Sequence, residues 1–320
     1  MILLLESLHP DAEALLEAAG PVLRAVDPNQ VPDDLTDLTA VRAILTRGRG
    51  RISKELLARC PSLEVIARAG AGLDNLDTKE AAARGIPVIF APGVNASTVA
   101  EHTLALMLDL VRGVSLWTRR TSSGGWEQRG SYQGAELRGL TLGIIGLGSI
   151  GRRVADLARA FGMRVVAASL PGRPREVDAA ADHSIERLPL EALLAVADVV
   201  SLHIPLTSST RAFFGNTEFG QMKPGAWLIN TARGELIDGA ALRNALATGK
   251  LGGFAADVLD VEPPSADDPL LSDERVVLTP HVASLTGATY RELCVSTARN
   301  VVHVLRGESP EARSVFQAAE

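Results

Sequence analysis

The sequence predicts an α/β protein built from two Rossmann-like, doubly wound parallel-sheet domains, with the active site in the cleft between them. Two observations lead to this prediction. Short apolar runs alternate with amphipathic stretches twice along the chain, first over residues 2–90 and again from Thr141 onward, and such alternation is typical of parallel sheets with crossover helices. A glycine-rich turn also follows the first apolar run of the second series.

In the first series, apolar runs predict strands and the amphipathic stretches between them predict helices. The predicted strands are residues 2–5, 43–46, 65–69 and 88–90, and the predicted helices are residues 11–19, 53–59 and 78–84.

The second series repeats this pattern and is followed by one more helix. Its predicted strands are residues 142–145, 165–168, 199–203, 227–230, 253–257 and 276–278, and its predicted helices are 150–161, 190–195 and 239–248. A last helix over residues 287–306 can pack back on the first series. We therefore expect a flavodoxin-like substrate-binding domain of residues 1–98 plus 285–320, and a dinucleotide-binding Rossmann domain of residues 99–284.

The stretch between the two series has a different character. Residues 99–117 are mostly apolar on all sides, which predicts one buried connecting helix. Residues 118–139 are rich in Gly, Ser and charge, and three aromatic residues lie in or beside them. Either an oligomer contact or a surface loop fits this segment. We expect a homodimer.

Composition narrows the class of protein. The 320 residues are 46% hydrophobic, and the formal net charge of −6 is spread along the chain. This argues against nucleic-acid and membrane partners and favours a small-molecule substrate. The two cysteines, Cys60 and Cys294, lie far apart and outside any Cys/His cluster, so we expect no metal site and a reducing, cytoplasmic location.

The glycine-rich turn predicts a dinucleotide site. Residues 142–151 read LGIIGLGSIG, so the GxGxxG glycines Gly146, Gly148 and Gly151 come directly after a predicted strand and open a predicted helix. The first glycine allows a tight turn, the second lets the backbone approach a pyrophosphate, and the third permits close helix–strand packing. The helix N-terminus stabilises the phosphate charge.

Residues after the next predicted strand favour NADP(H) over NAD(H). An acidic residue about 20 positions beyond the glycines accepts hydrogen bonds from the ribose hydroxyls of NAD, but this chain has Ser169 there. Arg173 and Arg175 follow and can pair with a 2′-phosphate. Both arginines could also be ordinary solvated charges, so NAD(H) stays possible.

Three polar segments follow strands of the second series, where ligands bind in open α/β sheets. They contain Arg233, Glu262 and His281. This trio suits reduction of a 2-keto acid, because Arg233 can hold the carboxylate and polarise the keto oxygen, and His281 can donate a proton. Glu262 can hold His281 and favour its protonated form. Taken separately, each residue could instead be structural.

In these motifs the chain resembles the D-isomer-specific 2-hydroxyacid dehydrogenases. This family includes phosphoglycerate, formate and D-lactate dehydrogenases and glyoxylate/hydroxypyruvate reductases. The resemblance covers nearly the whole chain. It rests on the three polar segments, the GLGSIG turn, RAGAGLDN from Arg68, Asn95 with AEH from Ala100, HIPL from His203 and MKPG from Met222. It implies that Arg233, Glu262 and His281 are catalytic.

The resemblance also implies ligand contacts, residue by residue. For the substrate they are Gly70, Ala71, Gly72 and Asn95. For the cofactor it implies Ser149, Ile150, Ile204, Pro205, Thr231, Ala232 and Asp257, in addition to the residues predicted above from the glycine-rich turn and the next strand, Gly146, Gly148, Gly151, Ser169 and Arg173. Ser169 departs from the family, in which many NAD-using members have Asp at this position.

The identity of the substrate is left open between two classes. Arg47 follows an early predicted strand, and phosphoglycerate dehydrogenases resemble this segment and use such an arginine for the substrate phosphate. Arg49 and Arg51 lie nearby, but a turn with three arginines can be merely solvated. We favour a glyoxylate- or hydroxypyruvate-like acid, with D-3-phosphoglycerate as the alternative. Some members of the family are instead NAD(H)-binding co-repressors without enzymatic activity. A turnover assay distinguishes this class of protein from an enzyme.

Overall fold

The computed structural model describes residues 1–25, 27, 37–168 and 185–317, and it divides into two compact units. Unit 1 is Met1–Asn95 with Leu285–Glu320, and unit 2 is Ala96–Ser284. Each unit contains one parallel sheet, which confirms the predicted fold class. Within the described residues, no helix has both the length and the apolar character that crossing a bilayer requires.

Unit 1 contains a five-stranded sheet in the order β2-β1-β3-β4-β5, the flavodoxin-like order. Its elements are β1 (Ile2–Leu4), α1 (Pro10–Ala19), β2 (Val22–Arg24), β3 (Ala43–Thr46), α2 (Lys54–Arg59), β4 (Val65–Arg68), α3 (Thr78–Ala83), β5 (Val88–Ile89) and, after unit 2, α10 (Gly287–Leu305).

Side chains on the two faces of this sheet alternate, so each face builds its own core. On one face Leu4 and Leu45 pack with Leu16 of α1 and Ala298 of α10. On the other face Ile44 packs in a cluster that includes residues of α2 and α3. Helix α10 thus joins the first series, although it follows the second in sequence.

Unit 2 contains a seven-stranded sheet in the order β12-β11-β10-β9-β6-β7-β8, in which every neighbouring pair is parallel. Its elements are α4 (Ala96–Arg112), α5 (Val114–Ser122), β6 (Thr141–Ile145), α6 (Ser149–Ala160), β7 (Arg164–Ala168), β8 (Glu186–Arg187), α7 (Leu190–Val196), β9 (Val199–Leu202), α8 (Asn216–Gln221), β10 (Ala226–Asn230), α9 (Gly239–Ala247), β11 (Leu251–Ala256) and β12 (Val276–Leu278).

The prediction of a single helix over residues 99–117 is wrong. Helix α4 ends at Arg112, and α5 begins at Val114 after Gly113, which has a left-handed φ of +64°. This conformation interrupts the α-helical path and is accessible to glycine without steric cost. Helix α4 buries many apolar residues against the sheet, whereas α5 has no buried residue.

Candidate active site

The glycine turn between β6 and α6 is closely packed at its first and third glycines. Gly146 has φ +99°, and a Cβ at this position would lie 2.5 Å from the carbonyl oxygen of His203. A Cβ on Gly151 would lie 2.2 Å from the carbonyl oxygen of Gly146. Because such distances are far below van der Waals contact, side chains at these positions would push apart the strand and the helix.

The second glycine has different surroundings, and they fit a dinucleotide. A Cβ on Gly148 would meet no atom within 4 Å, so this glycine faces open space. Gly148 caps α6, whose first three residues are Ser149, Ile150 and Gly151. The space therefore lies at the N-terminus of a helix of 12 residues, where backbone N–H groups and the helix dipole favour a phosphate.

The segment after β9 packs against this turn. Ile204 is 3% exposed, and a Cβ on Gly146 would lie 2.6 Å from its Cγ2 atom. The carbonyl oxygen of the next residue, Pro205, accepts a hydrogen bond from Thr210 Oγ1 at 2.8 Å. The predicted cofactor residues Ser169 and Arg173, together with Arg175, lie outside the described residues.

The Arg233 loop (residues 230–234) follows β10 and is shaped by the amide of Asn230. This side chain is fully buried, accepts a hydrogen bond from Ala232 N at 3.0 Å and donates one to the carbonyl oxygen of Arg233 at 2.8 Å. Arg233 Nη1 donates to the carbonyl oxygen of Ala232 at 2.7 Å. A buried amide satisfied at both ends fixes the backbone from which the guanidinium extends.

Gly234 brings this loop into backbone contact with the segment that carries Glu262. A Cβ on Gly234 would lie 1.9 Å from the carbonyl carbon of Leu259 and 2.2 Å from the backbone nitrogen of Asp260. The neighbouring atoms are backbone and cannot rotate away. Any side chain at Gly234 would therefore separate Arg233 from the Glu262 segment.

Glu262 and His281 form the central pair of the site. Glu262 Oε2 lies 2.8 Å from His281 Nδ1, and the two side chains are 39% and 45% exposed, so a small molecule can reach them. Burial opposes ionisation of Glu262, but hydrogen bonds from His281 and Leu259 N, with the charges of His281 and Arg233, lower its pKa. An ionised carboxylate only accepts, so His281 Nδ1 carries a proton.

Asp257 holds the His281 loop (residues 279–283). Its carboxylate is 2% exposed and accepts hydrogen bonds from Val282 N, Ala283 N and the Thr279 hydroxyl at 2.8, 2.8 and 2.6 Å. The backbone nitrogen of His281 donates to the Asp257 carbonyl oxygen at 2.8 Å. His281 itself has a left-handed φ of +55°. These contacts stabilise a backbone conformation that L-residues with a side chain adopt at a cost.

A second histidine near the glycine turn differs from His281. Burial lowers the pKa of His203 to about 4, and its Nε2 lies 2.8 Å from Ser201 Oγ. His203 is therefore neutral at physiological pH and poorly suited to donate a proton. This contrast supports His281 as the acid–base residue.

The predicted substrate residues lie in unit 1. The Arg47 loop (residues 46–51) follows β3, and Arg68 Nε donates to the carbonyl oxygen of Arg47 at 3.0 Å, which ties this loop to the segment of Gly70, Ala71 and Gly72. The amide oxygen of Asn95, the last residue before unit 2, is buried and has no hydrogen-bond partner among the described residues.

Glu6 organises the Arg47 loop. One oxygen of its carboxylate accepts hydrogen bonds from the backbone nitrogens of Arg47, Gly48 and Gly50 at 3.2, 2.8 and 2.7 Å, and from the Thr46 hydroxyl at 2.8 Å. The guanidinium of Arg47 lies over the Tyr290 ring, 5.4 Å from its centroid. The buried Glu6 carboxylate thus fixes the backbone of the loop, while the Arg47 side chain, 34% exposed, extends away from it.

The sequence predicted the pairing of Glu262 with His281 but not the groups that hold these residues, and it named Asp257 only as a cofactor contact. The contacts of Asn230 and Asp257, and the need for glycine at position 234, depend on segments far apart in the chain. The only available signal was the clustering of short polar segments after buried strands.

The fold and the site define this chain as a dinucleotide-binding α/β protein with an Arg, Glu and His constellation after neighbouring strands. A family model for the "D-isomer specific 2-hydroxyacid dehydrogenase, NAD binding domain" matches residues 104–283. The chain belongs to this family.

Two relatives illustrate the similarity. The chain is 37% identical to a D-3-phosphoglycerate dehydrogenase of Archaeoglobus fulgidus over 85% of its own length but spans only 51% of that protein. It is also 37% identical to a hydroxypyruvate reductase of Thermotoga maritima, covering 82% of this chain and 84% of the relative.

The chain is also similar in fold and sequence to solved structures. The TT0316 protein of Thermus thermophilus matches with a TM-score of 0.88 and 35% identity over 99% of both chains. An NADPH-dependent glyoxylate/hydroxypyruvate reductase of Sinorhizobium meliloti, in complex with NADP and malonate, matches with a TM-score of 0.86 and 28% identity over 100% of this chain and 98% of that one.

Proposed function

We propose that this chain is an oxidoreductase that transfers a hydride between a nicotinamide cofactor and C2 of a small D-2-hydroxy acid or 2-keto acid. The observation that carries the proposal is the 2.8 Å contact between His281 Nδ1 and Glu262 Oε2. A histidine fixed in this way has one nitrogen committed to a carboxylate and presents the other to a substrate oxygen. Family membership and the Arg233 loop support the same reaction.

Each residue of the trio has a distinct task in keto-acid reduction. Arg233 binds the substrate carboxylate and polarises the keto oxygen with its planar donor fork. His281 Nε2 donates a proton to that oxygen as it gains negative charge. The ionised Glu262 stabilises the protonated imidazole before transfer. In the oxidation direction, His281 Nε2 accepts the proton from the hydroxyl.

The residues around the glycine turn would hold the cofactor. Gly148, Ser149 and Ile150 would bind the pyrophosphate, Ile204 and Pro205 would border the adenosine, and Thr231, Ala232 and Asp257 would lie near the nicotinamide. When bound, the cofactor supplies the hydride for reduction or accepts it in oxidation.

The direct test is turnover of purified protein with a panel of 2-keto acids and with both reduced nicotinamides, followed by loss of nicotinamide absorbance. We expect turnover on glyoxylate and hydroxypyruvate. Binding of reduced nicotinamide with no turnover on any acid would contradict the proposal and would favour a non-enzymatic binding module.

A second candidate substrate is supported by the Arg47 loop. Its guanidinium is packed on Tyr290 and partly exposed, beside the segment of Gly70 within unit 1. A fixed, partly exposed arginine suits a phosphate at the far end of a longer acid. The relevant assay compares hydroxypyruvate with 3-phosphohydroxypyruvate in the parent and in Arg47→Gln. Loss confined to the phosphorylated acid would identify this chain as a phosphoglycerate dehydrogenase.

For the cofactor, we propose a preference for NADP(H). Ser169 removes the repulsion that an acidic residue would exert on a 2′-phosphate, and Arg173 can attract it. We expect a higher kcat/KM with NADPH than with NADH, and a reversed order in the double variant Ser169→Asp with Arg173→Ala. An unchanged ratio in the double variant would rule out both residues as determinants.

We also propose a homodimer formed through α5 and the residues that follow it. Val114, Trp126 and Tyr132 are 58%, 63% and 40% exposed, and Trp117 contacts Tyr132 edge-on with ring centroids 5.7 Å apart. Trp126 and Tyr132 follow α5 in the chain, and exposed aromatic residues beside a helix without buried residues favour a protein contact. Light scattering at micromolar concentration should give about twice the 33.7 kDa of one chain.

A further inference from the structure

Helix α4 presents two consecutive polar side chains to two different loops of the site. His102 Nε2 lies 2.9 Å from the Thr279 hydroxyl oxygen in the His281 loop. Thr103 Oγ1 lies 2.9 Å from the Thr231 hydroxyl oxygen in the Arg233 loop. One turn of helix therefore contacts both the loop that carries the proton donor and the loop that carries the carboxylate-binding arginine.

The direction of the His102 contact follows from the proton count. The Thr279 hydroxyl has one proton, and it donates this proton to Asp257 Oδ1 at 2.6 Å. A carboxylate cannot donate in return, so Thr279 must accept from His102 Nε2. His102 thus donates to the same network in which Asp257 holds the backbone nitrogens of Val282 and Ala283.

The Thr103 contact has a defined direction by the same reasoning. The Thr103 hydroxyl donates to the carbonyl oxygen of Val99 at 2.7 Å, so its oxygen accepts from the Thr231 hydroxyl. Thr103 is fully buried and Thr231 is 8% exposed. Loss of either hydroxyl would leave a buried polar group without its partner, which costs more than an exposed hydrogen bond.

We propose that His102 and Thr103 are positioning residues that fix the His281 loop and the Arg233 loop against helix α4 and so set the spacing of the two catalytic side chains. This inference rests on the proposed reduction. Helix α4 suits the task because it has 17 residues and packs against the sheet through many buried side chains. Its first residue, Ala96, is also the first residue of unit 2.

The two residues should affect different kinetic constants. His102→Leu should lower kcat about tenfold with little change in KM, because it loosens the loop of the proton donor. Thr103→Val should raise KM for the keto acid about fivefold with a smaller change in kcat, because it loosens the loop that binds the substrate carboxylate.

Backbone amide exchange provides a readout independent of turnover. In His102→Leu, the amides of Val282 and Ala283 should exchange about tenfold faster, whereas the amide of Ala232 keeps its rate. In Thr103→Val, the amide of Ala232 should exchange faster, and those of Val282 and Ala283 should keep theirs. A general loss of stability would accelerate all three amides in both variants.

Conservative and distant variants complete the test. His102→Gln should restore kcat and slow exchange, because its side-chain amide can donate where Nε2 does. His303→Leu, at a partly exposed position of α10, and Thr248→Val, at the exposed residue that follows α9, make the same replacements and should change neither readout. Parental exchange rates in both α4 variants, or equal acceleration at both loops, would overturn the inference. The predicted exchange pattern with no turnover of any acid by the parent would refute the proposed function alone.

Discussion

The Arg47 loop of unit 1 and the His281 loop of unit 2 are built on the same principle but are held to different degrees. In each, one buried carboxylate accepts backbone N–H groups from a loop that follows a parallel strand. Glu6 receives its four bonds on a single oxygen, whereas Asp257 uses both oxygens. A helix contacts each loop, but α10 does so through the Tyr290 ring against the Arg47 side chain, whereas α4 does so through a hydrogen bond from His102 to Thr279, which itself binds Asp257.

This difference matches the demands of the two proposed tasks. An arginine that recognises a distant phosphate tolerates some movement, because its attraction is largely electrostatic. A proton donor must reach one atom at hydrogen-bond distance, and small displacements are costly. The comparison therefore predicts that the loops of unit 2 are more sensitive to substitution than the Arg47 loop.

The largest expected effect is at the proton donor. His281→Gln should lower kcat for keto-acid reduction by about 10²–10⁴-fold, because general acid catalysis contributes that much. Cofactor affinity, measured by fluorescence titration with reduced nicotinamide, should stay near that of the parent. Activity within a few-fold of the parent would exclude His281 as the acid.

The next effect is at Arg233. Arg233→Lys should lower kcat/KM about 100-fold although it keeps the charge, because an ammonium cannot reproduce the planar two-point contact with a carboxylate and a keto oxygen. Steady-state kinetics on the best keto acid measures the loss. A variant that kept most of its efficiency would show that Arg233 serves as a structural ion pair.

A smaller effect is expected in the pH profile. Glu262→Gln should move the basic limb of kcat/KM for reduction to lower pH, because the proposed proton donor loses its ionised hydrogen-bond partner. Glu136→Gln, an exposed surface substitution, is the matched control. If the basic limb of the Glu262 variant coincided with that of the control, the pairing would have no role in proton transfer.

The smallest effect is expected in unit 1. Burial opposes ionisation of Glu6, but bonds from Gly50, Gly48, Thr46 and Arg47 outweigh it and lower its pKa below 4.5. The stability this gives is present above pH 4.5 and is lost as pH falls through the folded-state pKa.

Glu6→Gln should therefore reduce the free energy of unfolding by about 1 kcal/mol at neutral pH, because the substituted amide oxygen can still accept the same bonds without the charge. Urea unfolding of both proteins at several pH values should show the difference shrinking as the solution is acidified. A difference that persisted unchanged at low pH would mean that folding does not lower the pKa of Glu6.

Much of the fold could be predicted because buried parallel strands leave continuous apolar runs in the sequence. Two short edge strands were missed. Val22–Arg24 has only partly buried or exposed residues, and Glu186–Arg187 is polar, so neither has the apolar pattern of a strand. The break at Gly113 was also missed, because apolar residues continue on both sides of it and only the backbone conformation reveals the interruption.

At the site, motifs predict the residues of the proposed reaction but not those that hold them. The contact of His102 with Thr279 joins residues 177 positions apart, and a hydrogen bond between two side chains leaves no periodic signal in a sequence. The same is true of Gly234, whose role depends on the backbone of Leu259. These contacts can be identified only in the folded structure, where the strands lie side by side.

The left-handed backbone at His281 has a consequence for protein engineering. A residue with a Cβ pays about 1–2 kcal/mol for this conformation, and glycine avoids most of that cost. A screen for heat-resistant variants that reads only melting temperature would therefore reward His281→Gly and discard the proposed proton donor. Under the proposed function, thermal tolerance and turnover are opposed at this single position, and any directed evolution of the chain has to select for both at once.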